Sequence, residues 1–258
     1  VIGQQADAMI FKPKGREGPR LADLKVQAST YGQQIPKLFG TMRVAGSVIW
    51  ATDLKENRHV SGGGKNSPSV TSYSYSVSLA VALSSRQIRA VKRIWADGNL
   101  LRTANGRFRE RCVFRAHLGG EDQKVDPLIA SVVGVSGASA FRGLSYVVLE
   151  GLALEAFGNR IPSLTFEVEA DGAAVDSGVI GDELLGVQGR CFGQWPIQGY
   201  AASGDRVRDA IAPLADVDRL SLVSGAGIWR LAPPNMTGEA AQIGQFTRAG
   251  RVPDRADI

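Results

Sequence analysis

Glu150, Glu155, Glu167, Glu169 and Asp171 gather five carboxylates in one short stretch of the chain. Glycan hydrolysis needs such residues in pairs, an acid and a base or nucleophile roughly 5–10 Å apart. Glu167 and Glu169, however, alternate with Leu164, Phe166 and Val168, which places them on the polar side of a strand. Residues there are ordinarily solvated or paired across strands. His59 and His117 are the chain's histidines, and neither stands beside a recognisable Ser or Cys nucleophile, so no triad is assembled. Gly62-Gly63-Gly64-Lys65 has the glycines and lysine of a phosphate loop, but His59 and Asn66 occupy the places where that motif takes Gly and Ser or Thr. The G-x-S-x-G and H-E-x-x-H patterns do not occur. Cys112 and Cys191 lack the C-x-x-C spacing of zinc or iron–sulfur sites. They read as two buried free thiols, with a single disulfide open if the protein matures outside a reducing cytosol. No catalytic residue, cofactor-binding residue or metal ligand is assigned.

Positive charge is the other chemical resource. The formal net charge is +5 and the sequence pI about 9.4. Its densest stretch is Arg86, Arg89, Lys92 and Arg93, then Arg102, Arg107, Arg109, Arg111 and Arg115, with Trp95 and Phe108 interleaved. Clustered cations of this kind bind phosphate by releasing counterions, so a DNA-binding module is one reading. The other is a sheet face, solvated or set against an acidic neighbour.

The elements that position these residues read mainly as strands. A chain of 258 residues has room for one large domain or two ordinary ones, and buries roughly 70–75% of its unfolded surface. Hydrophobic residues at 44% and charged residues at 21% mark a globular chain. No apolar run approaches the ~18 residues of a membrane span, so no stable membrane insertion is expected. The start, Val1-Ile2-Gly3-Gln4, has no signal-peptide pattern and no initiator Met, which reads as a processed chain or an excerpt.

From Tyr73 to Ser84, tyrosines and aliphatics at odd positions alternate with Ser and Ala, the period of a half-buried strand. Ile88 to Trp95 is another strand, turning at Asp97-Gly98 into Leu100-Leu101. Leu38 to Val44 and Ser47 to Thr52 are strands bent at Ala45-Gly46. Leu144 to Glu150 and Ser163 to Glu169 follow. Two-sided strands of this kind belong to antiparallel sheets. Glu121 to Val133 reads as a short helix broken at Pro127. Asp205 to Leu214 reads as a helix with Ser203 near its N-cap and Pro213 ending it early. Arg219 to Val223 and Gly227 to Leu231 are strands that close a small helix-plus-hairpin unit. His59 to Ser72 is Gly/Ser-rich and reads as a surface loop, and Asp171 to Gly178 as a boundary.

Three blocks of sequence carry a resemblance. The first runs from Gly18-Pro19-Arg20-Leu21-Ala22-Asp23-Leu24 through Tyr31-Gly32, Ile35-Pro36 and Gly40-Thr41-Met42-Arg43-Val44-Ala45-Gly46 to Val48-Ile49-Trp50-Ala51-Thr52. The second is Tyr73 to Leu83 with Ile94-Trp95-Ala96-Asp97-Gly98. The third is Ser145 to Glu150 with Phe157 to Val168. Together they resemble, in order over residues 18 to 169, the tail-tip and baseplate hub proteins of long-tailed, siphovirus-like bacteriophages and gene transfer agents. Relatives in the gene transfer agents are much longer, with a glycine-rich N-terminal stretch and in some a barrel domain similar to glycan hydrolases. Neither is visible here, so that cell-wall activity does not carry over.

The resemblance implies a fold that is mainly β with minor α. Residues 1–170 would form an antiparallel, β-barrel-like hub domain, and 171–258 a smaller α+β subdomain of a longer chain. It implies a homotrimer around a channel for genome delivery, joining the tail tube to the tip. The partners it implies are distal tail, tail-tube, tape-measure and other tail-tip proteins, with DNA only passing through. The place it implies is the virion, after assembly in the bacterial host cytoplasm. Strands such as Tyr73 to Ser84 would continue a sheet across protomers. Arg86, Arg89, Lys92 and Arg93 would face away from the lumen toward acidic neighbours, because a basic wall retains DNA. The Gly62 to Gly64 loop would order only against a partner. The alternative function is a tail-associated peptidoglycan-degrading enzyme.

Overall fold

A computed structural model describes residues 16–17, 34–62, 69–225 and 228–233. Residues 18–33 of the first resemblance block, and Gly63 and Gly64 of the glycine loop, lie outside the described residues. In chain order the elements are β1 (Arg16–Glu17), β2 (Lys37–Ala45), β3 (Ser47–Ala51), β4 (Lys55–Ser61), β5 (Val70–Ser84), β6 (Ala90–Ala96), β7 (Asn99–Arg102), β8 (Val113–His117) and α1 (Pro127–Val133). Then come β9 (Ser145–Ala153), β10 (Leu164–Glu169), β11 (Val175–Asp176), α2 (Ser177–Leu185), β12 (Gly189–Cys191), β13 (Pro196–Ile197), β14 (Gly199–Ala202), α3 (Val207–Asp218), β15 (Ser221–Gly225) and β16 (Ile228–Ala232). The fold is mainly β with minor α. No closed barrel forms among the described residues.

One sheet runs in the order β1-β5-β9-β8, with β3 and β4 both pairing β5; a second runs β14-β2-β10-β6-β7. Their pairings are antiparallel except for the short β1–β5 contact. The odd positions of β5 supply the facing surface that their alternation requires. Tyr73, Tyr75, Val77, Leu79, Val81 and Leu83 share one core with Val147 and Leu149 of β9, and with Val44, Ile94, Phe166 and Val168 of the second sheet. The chain passes between sheets at the Ala45-Gly46 bend, where a methyl group on Gly46 would strike Val81 and Phe166. At β6–β7, Asp97 and Gly98 both take positive φ, 49° and 81°, as a two-residue hairpin turn demands.

Several expectations need correction. The second half of β5 is buried on both faces. Ala80 and Ala82, on the side opposite the main core, pack with Tyr146, Val148 and Ile129 under α1 and its flanking loops, because their small side chains let that layer approach. β5 is therefore an interior strand, with β8 at one side of the sheet and β3 and β4 at the other among the described strands. Of the surface loop expected from His59 to Ser72, the two ends are strand, His59 to Ser61 of β4 pairing with Val70 to Ser72 of β5, and residues 63–68 lie outside the described residues. α1 starts at Pro127 instead of breaking there. Asp126 is its N-cap, accepting from the backbone N–H of Leu128 and Ile129, and proline suits a first turn whose N–H groups have no partner inside the helix. α3 runs on to Asp218 with Pro213 inside it, its N-cap is Arg206 and not Ser203, and the buried Ile211 and Leu214 offset the lost backbone bond.

The supposed boundary Asp171 to Gly178 leads into α2, which sequence patterning did not show. β14 pairs with β2, so the later part of the chain is stitched to the earlier. Phe39, Ile180, Ala202 and Leu214 form a core at that junction. α3 with the β15–β16 hairpin closes the described chain as expected, and β12 joins β16 in parallel.

Candidate functional site

The polar face of the β2-β10-β6 ribbon brings together both chemical resources read from the sequence. β6 and β10 are antiparallel, with Thr165 opposite Trp95 and Glu169 opposite Ala90. That register sets the basic residues of β6 across from the glutamates of β10. Arg93 grips Glu167 with Nε and Nη2, both at 2.6 Å. Lys92 Nζ lies 2.9 Å from Glu169 and Arg89 Nε 3.5 Å from it. Trp95 lies between two guanidiniums, Arg43 at 4.0 Å from its ring centroid and Arg93 at 5.6 Å.

Arg86, at the end of β5, reaches in another direction. It makes a two-pronged pair with Asp171, both contacts 3.0 Å, and a third contact of 3.1 Å to Glu183 of α2, over the ring of Phe39. Asp171 also accepts from the backbone N–H of Gly40 at 2.8 Å. The four basic residues expected to face acidic neighbours thus meet carboxylates of their own chain. The expected pairing with carboxylates is present, and here the accepting groups come from the same chain.

This pairing changes what the carboxylates can do. The hydrogen bonds from Arg93 hold Glu167 below the usual glutamate range. A general acid needs the opposite, a carboxyl kept protonated near neutral pH. Glu150 is ion-paired with Arg115 Nη1 at 2.6 Å. Glu155 is exposed in a short 3₁₀ turn.

Asp126 is the buried hub of charge that sequence reading missed. Its side chain has no solvent exposure, and it accepts from Arg115 Nε at 2.7 Å and Nη2 at 3.1 Å. It also pairs with His117 Nε2 at 2.9 Å. Burial alone would raise its pKa, but Arg115, His117 and the Leu128 N–H outweigh that and hold it at about 2. His117 stacks flat on Tyr146 with ring centroids 4.3 Å apart. The Asp-Pro step at 126–127 was the available signal, since Asp is a favoured N-cap and Pro a favoured first helical residue.

His59 departs from expectation, because its Nε2 lies 2.9 Å from Ser74 Oγ across the β4–β5 pairing. The pair is exposed, and among the described residues no carboxylate is bonded to His59 to complete a triad. Burial pushes the Cys112 thiol up to about 12 and also raises Cys191, and both are free. Among the described residues no three His, Cys, Asp or Glu side chains are placed to hold a metal ion, and no helix is long and apolar enough to cross a membrane.

Two surface features remain open. β4, Lys55–Ser61, pairs with β5 alone among the described strands. Arg107, Arg109 and Arg111 are exposed between β7 and β8.

The described residues thus form a two-sheet β scaffold in which Arg86, Arg89, Lys92 and Arg93 are paired with carboxylates of the same chain. No family model matches the chain, and no curated protein is similar to it. A solved chain of the virion of a native gene transfer agent particle is similar to it, with a TM-score of 0.60 and 26% identity. The likeness covers 89% of this chain and 62% of that one, so this chain spans less than two thirds of its neighbour's length.

Proposed function

We propose that this chain is a structural subunit of a phage-like tail, and more specifically a tail-tip or baseplate hub that joins the tail tube to the tip around a channel for genome delivery. The carrying observation is the likeness to a gene transfer agent virion chain over 89% of the sequence, which supports a structural role in such a particle. The hub assignment rests besides on the ordered sequence resemblance over residues 18 to 169. In this reading residues 1–170 are the tube-continuing part and 171–258 a smaller subdomain. A homotrimer is completed through open strand edges, and distal tail, tail-tube and tape-measure proteins are the neighbours.

The charge arrangement fits a conduit. Arg86, Arg89, Lys92 and Arg93 are neutralised by Asp171, Glu183, Glu169 and Glu167, so this stretch is no basic wall wherever it lies relative to passing DNA. The wall-degrading alternative needs a free acid–base pair, and Glu167 and Glu169 are both engaged by cations. Purified particles probed with antibody against this chain test the reading. Label at one end of the tail supports it, and particles free of the chain refute it.

A further inference from the structure

We propose that Arg107, Arg109 and Arg111 form a docking surface for the carboxylates of a neighbouring protein subunit. The inference rests on the reading that the chain is built into a particle. Seven lysine and arginine side chains elsewhere in the described structure, Lys37, Arg86, Arg89, Lys92, Arg93, Arg115 and Arg160, each have a carboxylate within 3.5 Å. The three arginines of the β7–β8 connection are exposed and have no ion pair among the described residues. Glu110, the one carboxylate within their segment, is half-buried between them and neutralises none of the three.

The segment is pinned from beneath. Thr103 Oγ1 both accepts from the Arg107 N–H and donates to its carbonyl, each at 3.1 Å. The Arg109 N–H donates to Leu101 O at 2.9 Å, and Arg111 O accepts from the Ala153 N–H at 3.1 Å. Phe108 turns inward onto Phe114, ring centroids 5.8 Å apart, with the Arg102 guanidinium against both rings. Three cations are therefore held out on a fixed backbone, which lowers the ordering cost of docking. Beside them Val113, on the edge strand β8, is 56% exposed. Arginine is enriched at protein interfaces relative to the rest of the surface.

Magnitude decides between carboxylate and phosphate. Three phosphate contacts would give a salt slope of about −2.7, against the six to ten contacts that hold strong DNA binders. Guanidinium forks, in contrast, match carboxylates two-pronged, and three such pairs suffice to orient a subunit contact.

The test produces particles carrying the wild-type chain, Arg107→Gln/Arg109→Gln/Arg111→Gln, or the corresponding triple Lys variant, and measures how much chain stays bound as NaCl rises. Unchanged melting temperatures establish that the exposed substitutions leave the fold intact. The expected result is a salt-sensitive wild type, roughly tenfold weaker retention of the Gln variant at low salt, and intermediate retention with Lys. Wild-type retention of the Gln variant overturns the docking surface and leaves the structural role standing. Absence of the wild-type chain from particles overturns both. Binding to a short duplex DNA whose salt slope falls by about three in the Gln variant assigns the patch to phosphate instead, and also overturns the proposal.

Discussion

Arg93 and Glu167 meet across the β6–β10 pairing through two contacts of 2.6 Å, so one of the carboxylates suited to hydrolysis is spent on neutralising the densest basic stretch. On this face Glu167 and Glu169 offset two of the three positive charges that contact them. The Glu167→Gln/Glu169→Gln double variant removes that offset and leaves Arg89, Lys92 and Arg93 unopposed. It is expected to elute from immobilised heparin at clearly higher salt than the wild type. Neither protein is expected to release fragments from peptidoglycan. Loss of a measurable wild-type release activity in the double variant would reinstate the enzyme reading.

Asp126 ties β8 to α1, and its removal leaves Arg115 with Glu150 in place of two carboxylates. Breaking such a pair costs about 3–5 kcal/mol in a fully buried setting. Arg115 is 27% exposed, so Asp126→Asn is expected to cost about 2–3 kcal/mol in urea unfolding. The pH dependence follows from the same group. Its folded pKa, at about 2, lies below the ordinary aspartate value of 3.8, so its contribution is complete above pH 4 and disappears as pH falls toward 2. The acid-unfolding midpoint should therefore shift upward in Asp126→Asn. An unchanged midpoint would mean that another group sets it.

Arg86 links the two parts of the chain through Asp171 and Glu183. Arg86→Ala is expected to destabilise by about 1.5–3 kcal/mol, the scale of hydrogen bonds to charged groups. Combined with Asp171→Asn, the two costs should fall short of additivity, since they remove one shared contact. Strict additivity in a double-mutant cycle would show that the contact contributes nothing.

Gly40 sits where β2 turns from β10 toward β14, with φ of +67°. A Cβ there would strike the backbone carbonyl of Gln198, which cannot rotate aside. Gly40→Ala is expected to cost about 3 kcal/mol or more and to loosen β14, visible as faster amide exchange at Gly199–Ala202. Wild-type exchange in that strand would contradict the close approach.

What could be read ahead of the structure was what local spacing encodes. The alternation from Tyr73 to Leu83 and the Asp97-Gly98 turn are properties of adjacent residues, and both stand where they were expected. β4 was invisible because Lys-Glu-Asn-Arg-His-Val-Ser has no buried face to leave a period, and backbone pairing to β5 holds it in place. α2 was hidden by Gly178 and Gly181, which read as loop but serve the close approach of Gly193 and Cys191. Among the candidate site residues, the basic stretch and the glutamates were each recognised, but not their pairing. Arg93 and Glu167 are 74 positions apart, and only the sheet register sets them face to face.

In the proposed role this chain acts by being built into a tail, with strand edges completed by neighbours. A reconstruction of the assembled particle tests this most directly. Copies of the chain are expected closed in a ring at the end of the tail tube, with the outer edge of β4, Lys55–Ser61, hydrogen-bonded to a strand of an adjacent subunit. A chain found off the tail axis as a single copy, with that edge facing solvent, would contradict it.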